Sequence, residues 1–312
     1  MTDIVTLTPN PAVDISTSVE KIVPVNKLRC TSQLRDPGGG GINVARVVKR
    51  LGGDVVAIYP IGGATGDLLR RLVERENVPS QTSTIAQETR EDFSVTEISS
   101  GQQYRFVLPG PQLNEAEWRE CLDLVAKIEP FPRFLVGSGS LPPGVPNDFY
   151  ARVSRIARQR GAKMILDTSG APLAAAVAEG VDIIKPNLRE LAELADMQLS
   201  DSEQWKEAAR RLVMAGRVAI VALTLGHRGA VLVTRNDILH APPIPITPVS
   251  TVGAGDSFLG AMIWRLAGSG DLRDAFRYAV AAGAAALLNP GTELCRPEDV
   301  SRLSAHVVME SV

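Results

Sequence analysis

A repeated alternation limits this chain more than any other feature of its sequence. Residues 3–8, 55–61, 133–137, 163–166, 181–185 and 218–224 are short runs led by Val, Ile, Leu and Ala. Between them, apolar residues recur at helical spacing, as in Ile42, Val44, Val47, Val48 and Leu51, or Trp118, Leu122 and Val125. Short continuous apolar runs fit strands buried on both faces, and the longer spacing fits amphipathic helices. Strand–helix units in series imply a mainly parallel sheet covered on both sides, an α/β fold. Open sheets of that kind take ligands beyond the C-terminal ends of their strands. Polar clusters stand there in this chain: Asp14, Ser138 to Ser140, Asp167, Asn187 and Thr224.

The rhythm breaks once. Phe93, Val95, Glu97 and Ile98, then Gly101, then Tyr104, Phe106 and Leu108 read as a hairpin with alternating faces. Residues 15–36 read as irregular. Together these segments, about 12–36 and 88–110, predict a small inserted sheet that stands off the main one as a lid. No repeat and no low-complexity linker divides the rest, so 1–312 reads as one domain. Strands at 230–234 and 238–241 and helices at 255–268, 271–288 and 297–309 complete the expected order.

Composition narrows the partners. The chain has 312 residues, 45% of them hydrophobic, enough for a large core. A formal net charge of −2 gives no case for nucleic acid or an anionic membrane, so any anion must be held by local groups. Cys30, Cys121 and Cys295 are too far apart for a zinc site or a disulfide framework, which fits a reducing cytoplasm. The first residues read as a strand rather than a signal peptide, and no apolar run is long enough to span a bilayer.

The chemistry centres on Ser250-Thr-Val-Gly253-Ala254-Gly255-Asp256-Ser-Phe-Leu-Gly260. Small residues lead into an apolar helical pattern and leave room for a ligand against the backbone. The first amides of a helix are unpaired and carry partial positive charge, which favours an anion. Asp256 falls in the first turn, so a base stands beside the anion cradle formed by 253–256. That pairing suits phosphoryl transfer to a hydroxyl. Taken alone, the segment also fits a plain loop whose Asp caps a helix.

Other segments bear on the same chemistry. Gly38, Gly39, Gly40 and Gly41 open a helix that carries Asn43 in its first turn. They read as a second close backbone approach, to the acceptor; a flexible linker would not lead so directly into a helix. Asp14 suits sugar hydroxyls, or else a turn that bonds its own backbone. Arg90 and Arg105 bracket the hairpin, either solvating a surface or clamping a phosphate already on the acceptor. Asn187 and Glu190 share a helical face, which suits Mg²⁺ through waters and equally suits a capping box. No P-loop, protein-kinase loop, dinucleotide fingerprint or nucleophile elbow is present, and His227, His240 and His306 match no metal spacing.

At these residues a resemblance appears. Over its whole length the chain resembles the phosphofructokinase B family of ribokinase-like sugar kinases, a three-layer αβα sandwich with a β-sheet lid. Gly38–Gly41-Ile-Asn43 is similar to the family's N-terminal signature, and Thr251-Val-Gly-Ala-Gly-Asp256 to its C-terminal one, with Asp256 in the place of the general base. Asn187-x-x-Glu190 resembles its Mg-phosphate motif, and Thr224-Leu-Gly226 to Gly229 its ATP loop, with Lys185 also assigned to nucleotide and Ser140 to substrate. Lys27-Leu-Arg-Cys-Thr, Gln103-Tyr-Arg105, Gly139-Ser-Leu-Pro-Pro-Gly144 and Asn289-x-Gly-Thr292 are similar to the 6-phosphofructokinase branch. Thr8-Pro-Asn-Pro-Ala-Val-Asp14 is nearer to the fructose-1-phosphate and tagatose-6-phosphate kinase branches. The resemblance implies ATP as donor, with Lys27, Arg90 and Arg105 on the sugar phosphate and Asp14 and Asn43 on sugar hydroxyls. It also implies a potassium site of oxygens near Ser250, Val252, Ala286, Asn289 and Gly291, and homodimers joined through the lids. A catalytically idle sugar-phosphate sensor and a kinase of unphosphorylated sugars are the competing readings.

Overall fold

The computed structural model describes residues 3–291 and 293–312; Met1, Thr2 and Thr292, the last of which carried part of the resemblance, lie outside them. Strands are β1 Ile4–Leu7, β2 Ala12–Val19, β3 Leu34–Gly38, β4 Val55–Ile61, β5 Ser80–Thr84, β6 Arg90–Glu97 and β7 Gln103–Phe106. They continue as β8 Phe134–Ser138, β9 Lys163–Asp167, β10 Val181–Ile184, β11 Val218–Thr224, β12 Ala230–Val233, β13 Ile238–Ala241 and β14 Glu310–Ser311. Helices are α1 Gly40–Arg50, α2 Gly63–Arg75, α3 Glu115–Lys127, α4 Phe149–Gln159, α5 Gly170–Glu179, α6 Leu188–Ala195, α7 Ser202–Met214, α8 Ala254–Ser269, α9 Leu272–Ala286 and α10 Pro297–Ser304.

The main sheet runs β14-β13-β12-β11-β10-β9-β8-β1-β4-β5. From β11 to β5 the neighbours are parallel; β12, β13 and β14 extend the other edge antiparallel. The apolar runs are continuous because successive side chains enter opposite layers. Val5, Leu135, Leu166, Ile184 and Val221 pack on one side, in the core that also holds Trp118, Phe149 and Trp205. Ile4, Val136, Ile165, Ile183 and Ala222 pack on the other, with Phe258, Met262 and Phe276. The expected α/β architecture is therefore present, with α5, α7 and β5 added to the elements that the sequence pattern picked out.

The second sheet runs β3-β2-β6-β7. Two expectations change here. Residues 15–36 are not irregular throughout: β2 takes Ala12–Val19 and pairs in parallel with β6 along its whole length. Asp14 therefore stands inside a lid strand, opposite Asp92 on β6 and Asp36 on β3, rather than at the end of a main-sheet strand. At the C-terminus, α10 stops at Ser304 and the chain returns as the short edge strand β14.

Glycine decides how α1 meets α8. A Cβ on Gly260 would come within 2.7 Å of the Val47 side chain and 3.1 Å of the Val44 carbonyl. Without one, the two helices pack backbone to side chain, and their N-terminal turns end up side by side. Among the described residues, no helix is long and apolar enough to cross a membrane.

Candidate active site

A cleft of about 420 Å³ opens between the C-terminal ends of the main-sheet strands and the lid. Its walls include Asp14, Arg90, Asp92 and Arg105 from the lid, and Gly39, Gly40 and Asn43 from the start of α1. The strand ends supply Ser138 to Ser140, Asp167 to Ser169 and Lys185, the first turn of α6 supplies Glu190, and the start of α8 supplies Gly253, Gly255 and Asp256.

Gly253 caps α8 in the left-handed conformation, at φ 74°, which turns the chain into the helix. The first bond of the helix runs from Ser257 N to Gly253 O at 2.8 Å. The amides of Ala254, Gly255 and Asp256 precede it, and no acceptor among the described residues takes them. Asp256 does not cap the helix, so the plain capping reading fails. Its Oδ2 accepts from Asn43 Nδ2 at 2.9 Å, a contact that exists because α1 and α8 begin together. Burial and the Asp167 carboxylate push its pKa up to about 6, against the Asn43 hydrogen bond, Lys185 and Arg105.

Lys185 forms a buried ion pair with Asp167 at 3.1 Å. Burial opposes its charge, but Asp167, Asp256 and Glu190 outweigh that, and its pKa stays above the ordinary lysine value. Gly255 makes room for it, since a Cβ there would lie 3.3 Å from Nζ. On the lid side, burial and Asp92 push Asp14 up to about 7, despite Arg105, Arg46 and Arg90.

The four consecutive glycines divide their work. A Cβ on Gly38 would strike the Asp14 carboxyl at 2.4 Å, and one on Gly40 would strike Ser138 Oγ at 2.2 Å. Gly39 has φ 104° and turns the chain against Thr8 and Pro11. A Cβ on Gly41 would lie 2.8 Å from the Leu7 carbonyl oxygen, so Gly41 serves helix–sheet packing and does not reach the cleft. Of the four, Gly39 and Gly40 line the cleft, and Gly38 backs Asp14.

The expected clamp is unevenly assembled. Arg105 faces the cleft from β7, and its guanidinium makes no hydrogen bond or ion pair with any described residue. Arg90 is already held: it donates to Leu108 O at 2.7 Å and Asn10 O at 3.1 Å and pairs with Asp92 at 3.3 Å. Lys27 sits on the exposed loop between β2 and β3, outside the cleft of its own chain.

Asn187 and Glu190 form a complete capping box, with Glu190 N donating to Asn187 Oδ1 at 3.0 Å and Asn187 N to Glu190 Oε2 at 2.9 Å. The side-chain oxygen of Asn187 and one oxygen of Glu190 are thereby committed, while Glu190 still lines the cleft. Asn187 pairs with Thr224 in an isolated parallel bridge, which sets the turn Gly226–Arg228 and Gly229 beside it. Gly229 at φ 88° fits only without a side chain, because a Cβ would lie 2.0 Å from Ala241 O. Among the described residues, no three His, Cys, Asp or Glu cluster to hold a metal.

The segments of the expected potassium site meet. Ser250 Oγ donates to Gly291 O at 2.9 Å, Val249 N to Leu287 O at 2.7 Å, and Asn289 Nδ2 to Leu294 O at 3.1 Å. Val252 and Ala286 are buried beside them.

Sequence reasoning gave no site role to Asp92, Thr168 or Arg46. Asp92 alternates with Arg90 on a lid strand, and Thr168 Oγ1 donates to Gly139 O at 2.9 Å to fix the turn before Ser140. Their signal lay only in position, at a strand end or one strand pleat away. Asp167 was visible as part of a strand-end cluster, but its pairing with Lys185 was not.

Known proteins resemble this chain over nearly its whole length. The model of the pfkB family of carbohydrate kinases matches residues 7–299. The ATP-dependent 6-phosphofructokinase isozyme 2 of Mycobacterium tuberculosis H37Rv is 46% identical over 96% of this chain and 88% of its own length. That of Escherichia coli K12 is 43% identical over 98% and 99%. A 1-phosphofructokinase of Xanthomonas campestris is 31% identical over 99% and 98%. The solved structure of E. coli phosphofructokinase-2 in complex with potassium gives a TM-score of 0.94 at 43% identity, covering 98% of this chain and 99% of its own. The same enzyme in complex with fructose-6-phosphate gives 0.93 at 41% identity, with the same coverage. Ribokinase from Thermotoga maritima shares the fold alone, with a TM-score of 0.78 at 21% identity over 97% and 99%. A match of this extent, over a cleft built in this way, means that the chain belongs to the pfkB family of carbohydrate kinases.

Proposed function

We propose that this protein is an ATP-dependent kinase of fructose 6-phosphate that forms fructose 1,6-bisphosphate. One observation carries the reading: a raised-pKa carboxylate and unpaired helix-start amides face one cleft, which also contains an uncommitted arginine. Asp256 is the general base. Its pKa of about 6 leaves it mostly ionised at neutral pH yet basic enough to take a proton as the hydroxyl attacks. Asn43 holds one of its oxygens and leaves the other for the acceptor hydroxyl. The amides of Ala254, Gly255 and Asp256, with Gly253 setting the turn, stabilise charge on the phosphoryl group in transit.

Asp14 and Asn43 take sugar hydroxyls, and Gly38, Gly39 and Gly40 shape that wall, while Gly41 seats α1 against β1. Arg105 reads the phosphate already on the sugar, supported by Arg90 and by Lys27 once the loop after β2 moves or a second chain approaches. Ser140, held in the same wall by Asn10 Nδ2 at 3.2 Å, completes the acceptor site. Lys185 faces the donor phosphates; Asn187, Thr224, Gly226 and Gly229 border the nucleotide. Glu190 in the cleft, with Asn187 beside it, would help hold a hydrated Mg²⁺ against the donor phosphates, where the ion would supply charge neutralisation. Carbonyl oxygens near Ser250, Val252, Ala286, Asn289 and Gly291 suit K⁺, which supports the anion cradle electrostatically. Residues 1–312 act as one kinase domain with lid segments at about 12–36 and 88–110. The lid exposes Leu34, Phe93 and Phe106, which supports a homodimer joined through the lids.

A substrate panel with MgATP and coupled ADP detection tests the reading. Fructose 6-phosphate is expected to give the highest kcat/KM, ahead of fructose 1-phosphate, tagatose 6-phosphate and fructose. A preference for either other phosphate moves the assignment to the branches that Thr8-Pro-Asn-Pro resembles, and sugar binding without ADP release makes the protein a sensor.

A further inference from the structure

Among the described residues Arg46 is the largest fully buried side chain, 1% exposed, and it does not line the cleft. It lies one turn after Asn43 on α1. Its Nη1 donates to Asn43 Oδ1 at 3.1 Å and to Pro37 O at 3.0 Å. Its Nη2 pairs with Glu76 at 2.7 Å and lies 3.8 Å from Asp36. Glu76 is gripped again by Arg50 at 3.0 Å. Burial opposes ionisation of Glu76, but Arg46 and Arg50 outweigh it and hold its pKa below the ordinary glutamate value.

The chemistry of the chain Glu76–Arg46–Asn43–Asp256 admits one orientation. A guanidinium only donates, and an ionised carboxylate only accepts. The Asn43 amide stands between them, so its oxygen must face Arg46 and its NH₂ must face Asp256. Flipped, it would set donor against donor and acceptor against acceptor. We propose that Arg46, anchored by Glu76, is a positioning residue that locks the Asn43 amide so that it donates to the base Asp256 and keeps that base ionised. The inference rests on the reading of Asp256 as the base.

The groups facing Asp256 are Asn43 on α1, Asp167 at the end of β9, Lys185 after β10 and Arg105 on β7. Those around Arg46 are Asp36, Glu76, Arg50 and, through its charge, Asp14. Asn43 connects the two sets by hydrogen bonds. Loss of the lock frees the amide to rotate, removes a donor from the carboxylate and raises the pKa of the base.

The test is the acid limb of kcat, at saturating fructose 6-phosphate and MgATP, in Arg46→Lys, Asn43→Ala and the double variant. Lysine keeps the charge but cannot span Pro37 O, Asn43 Oδ1 and Glu76 together. Arg46→Lys is expected to move the limb up by about 0.5–1 pH unit. Turnover at pH 5.5 then falls about three- to eightfold, and the gap closes by pH 8. In the Asn43→Ala background the lysine change should add nothing, because its route is gone. An unmoved limb, a loss equal at all pH values, or full additivity overturns the proposal. If Arg46→Lys does not fold, Glu76→Gln decides on the same limb: an upward shift supports the lock and no shift overturns it. Asp256→Asn, measured alongside, separates the layers. Near-normal turnover there removes the base itself; an inactive Asp256→Asn beside an unmoved limb removes only the role of Arg46.

Discussion

Replacing Asp256 by Asn should break the enzyme and stabilise the free protein at once. The carboxyl is pushed from 3.8 to about 6, chiefly by burial and next by Asp167. A shift of about two units corresponds to roughly 3 kcal/mol between the protonated and ionised forms. Asp256 is partly open to the cleft, so water screens it and roughly half of that figure, ~1.5 kcal/mol, is the sounder expectation. The folded-state pKa is raised, so the protonated form is favoured by folding. The advantage is fully present below about pH 4 and is lost as pH rises through about 6. Asn imitates the neutral form at every pH and still accepts from Asn43 Nδ2. The variant should therefore melt about 2–4 °C above the wild type at pH 8, by roughly half that margin near pH 5, and level with it near pH 4. Turnover should fall by about 10²–10⁴, the usual contribution of a general base. Scanning fluorimetry across pH and a coupled ADP assay read both quantities on the same preparations. A lower melting temperature at pH 8, or a gain independent of pH, would show that the carboxylate is not held ionised against its surroundings. Near-normal turnover would remove it from the chemistry.

Arg105→Ala should raise KM for fructose 6-phosphate about 10–100-fold, the value of a charge-assisted contact, while leaving fructose unaffected; equal losses on both sugars would mean that Arg105 reads no phosphate. Gly40→Ala should cut kcat/KM by about tenfold or more and destabilise by about 1–3 kcal/mol, because its Cβ meets Ser138 Oγ at 2.2 Å and Ser138 is only 1% exposed. Ser138→Ala should recover part of the stability, since the next atom, Ser138 Cβ, lies at 3.3 Å; no recovery in thermal melts would place the strain elsewhere.

The main sheet was legible because its strands are buried on both faces and so read as unbroken apolar runs. The lid was only half legible, because β2 holds Asp14, Ser16, Thr17 and Ser18, whose polarity hides a strand when the partner strand is distant in sequence. Asp14 was therefore given to the right cleft from the wrong sheet. The start of α8 announced itself in small residues and a carboxylate, as did the capping box at Asn187, since both are local. The uneven use of the four glycines was not local: Gly40 answers to Ser138 and Gly41 to Leu7, each brought near by the sheet order.

The same contrast explains why Arg46 escaped notice. An arginine on the apolar face of α1 conflicts with the pattern that identifies the helix, and burying it is costly unless every donor finds an acceptor. Its acceptors come from β3, from the end of α2 and from Asn43, so the reason for its presence is tertiary. A core helix carrying a hydrophobic residue there would pack at least as well. The arginine instead ties the lid strand β3 and the end of α2 to Asn43, whose other end touches the base in the first turn of α8. Gly260 permits that touch by letting α1 and α8 close on each other. An arginine that weakens the local pattern, leaves its Nε buried without an acceptor, and ends one hydrogen-bonded residue from the base is explained by orientation better than by packing.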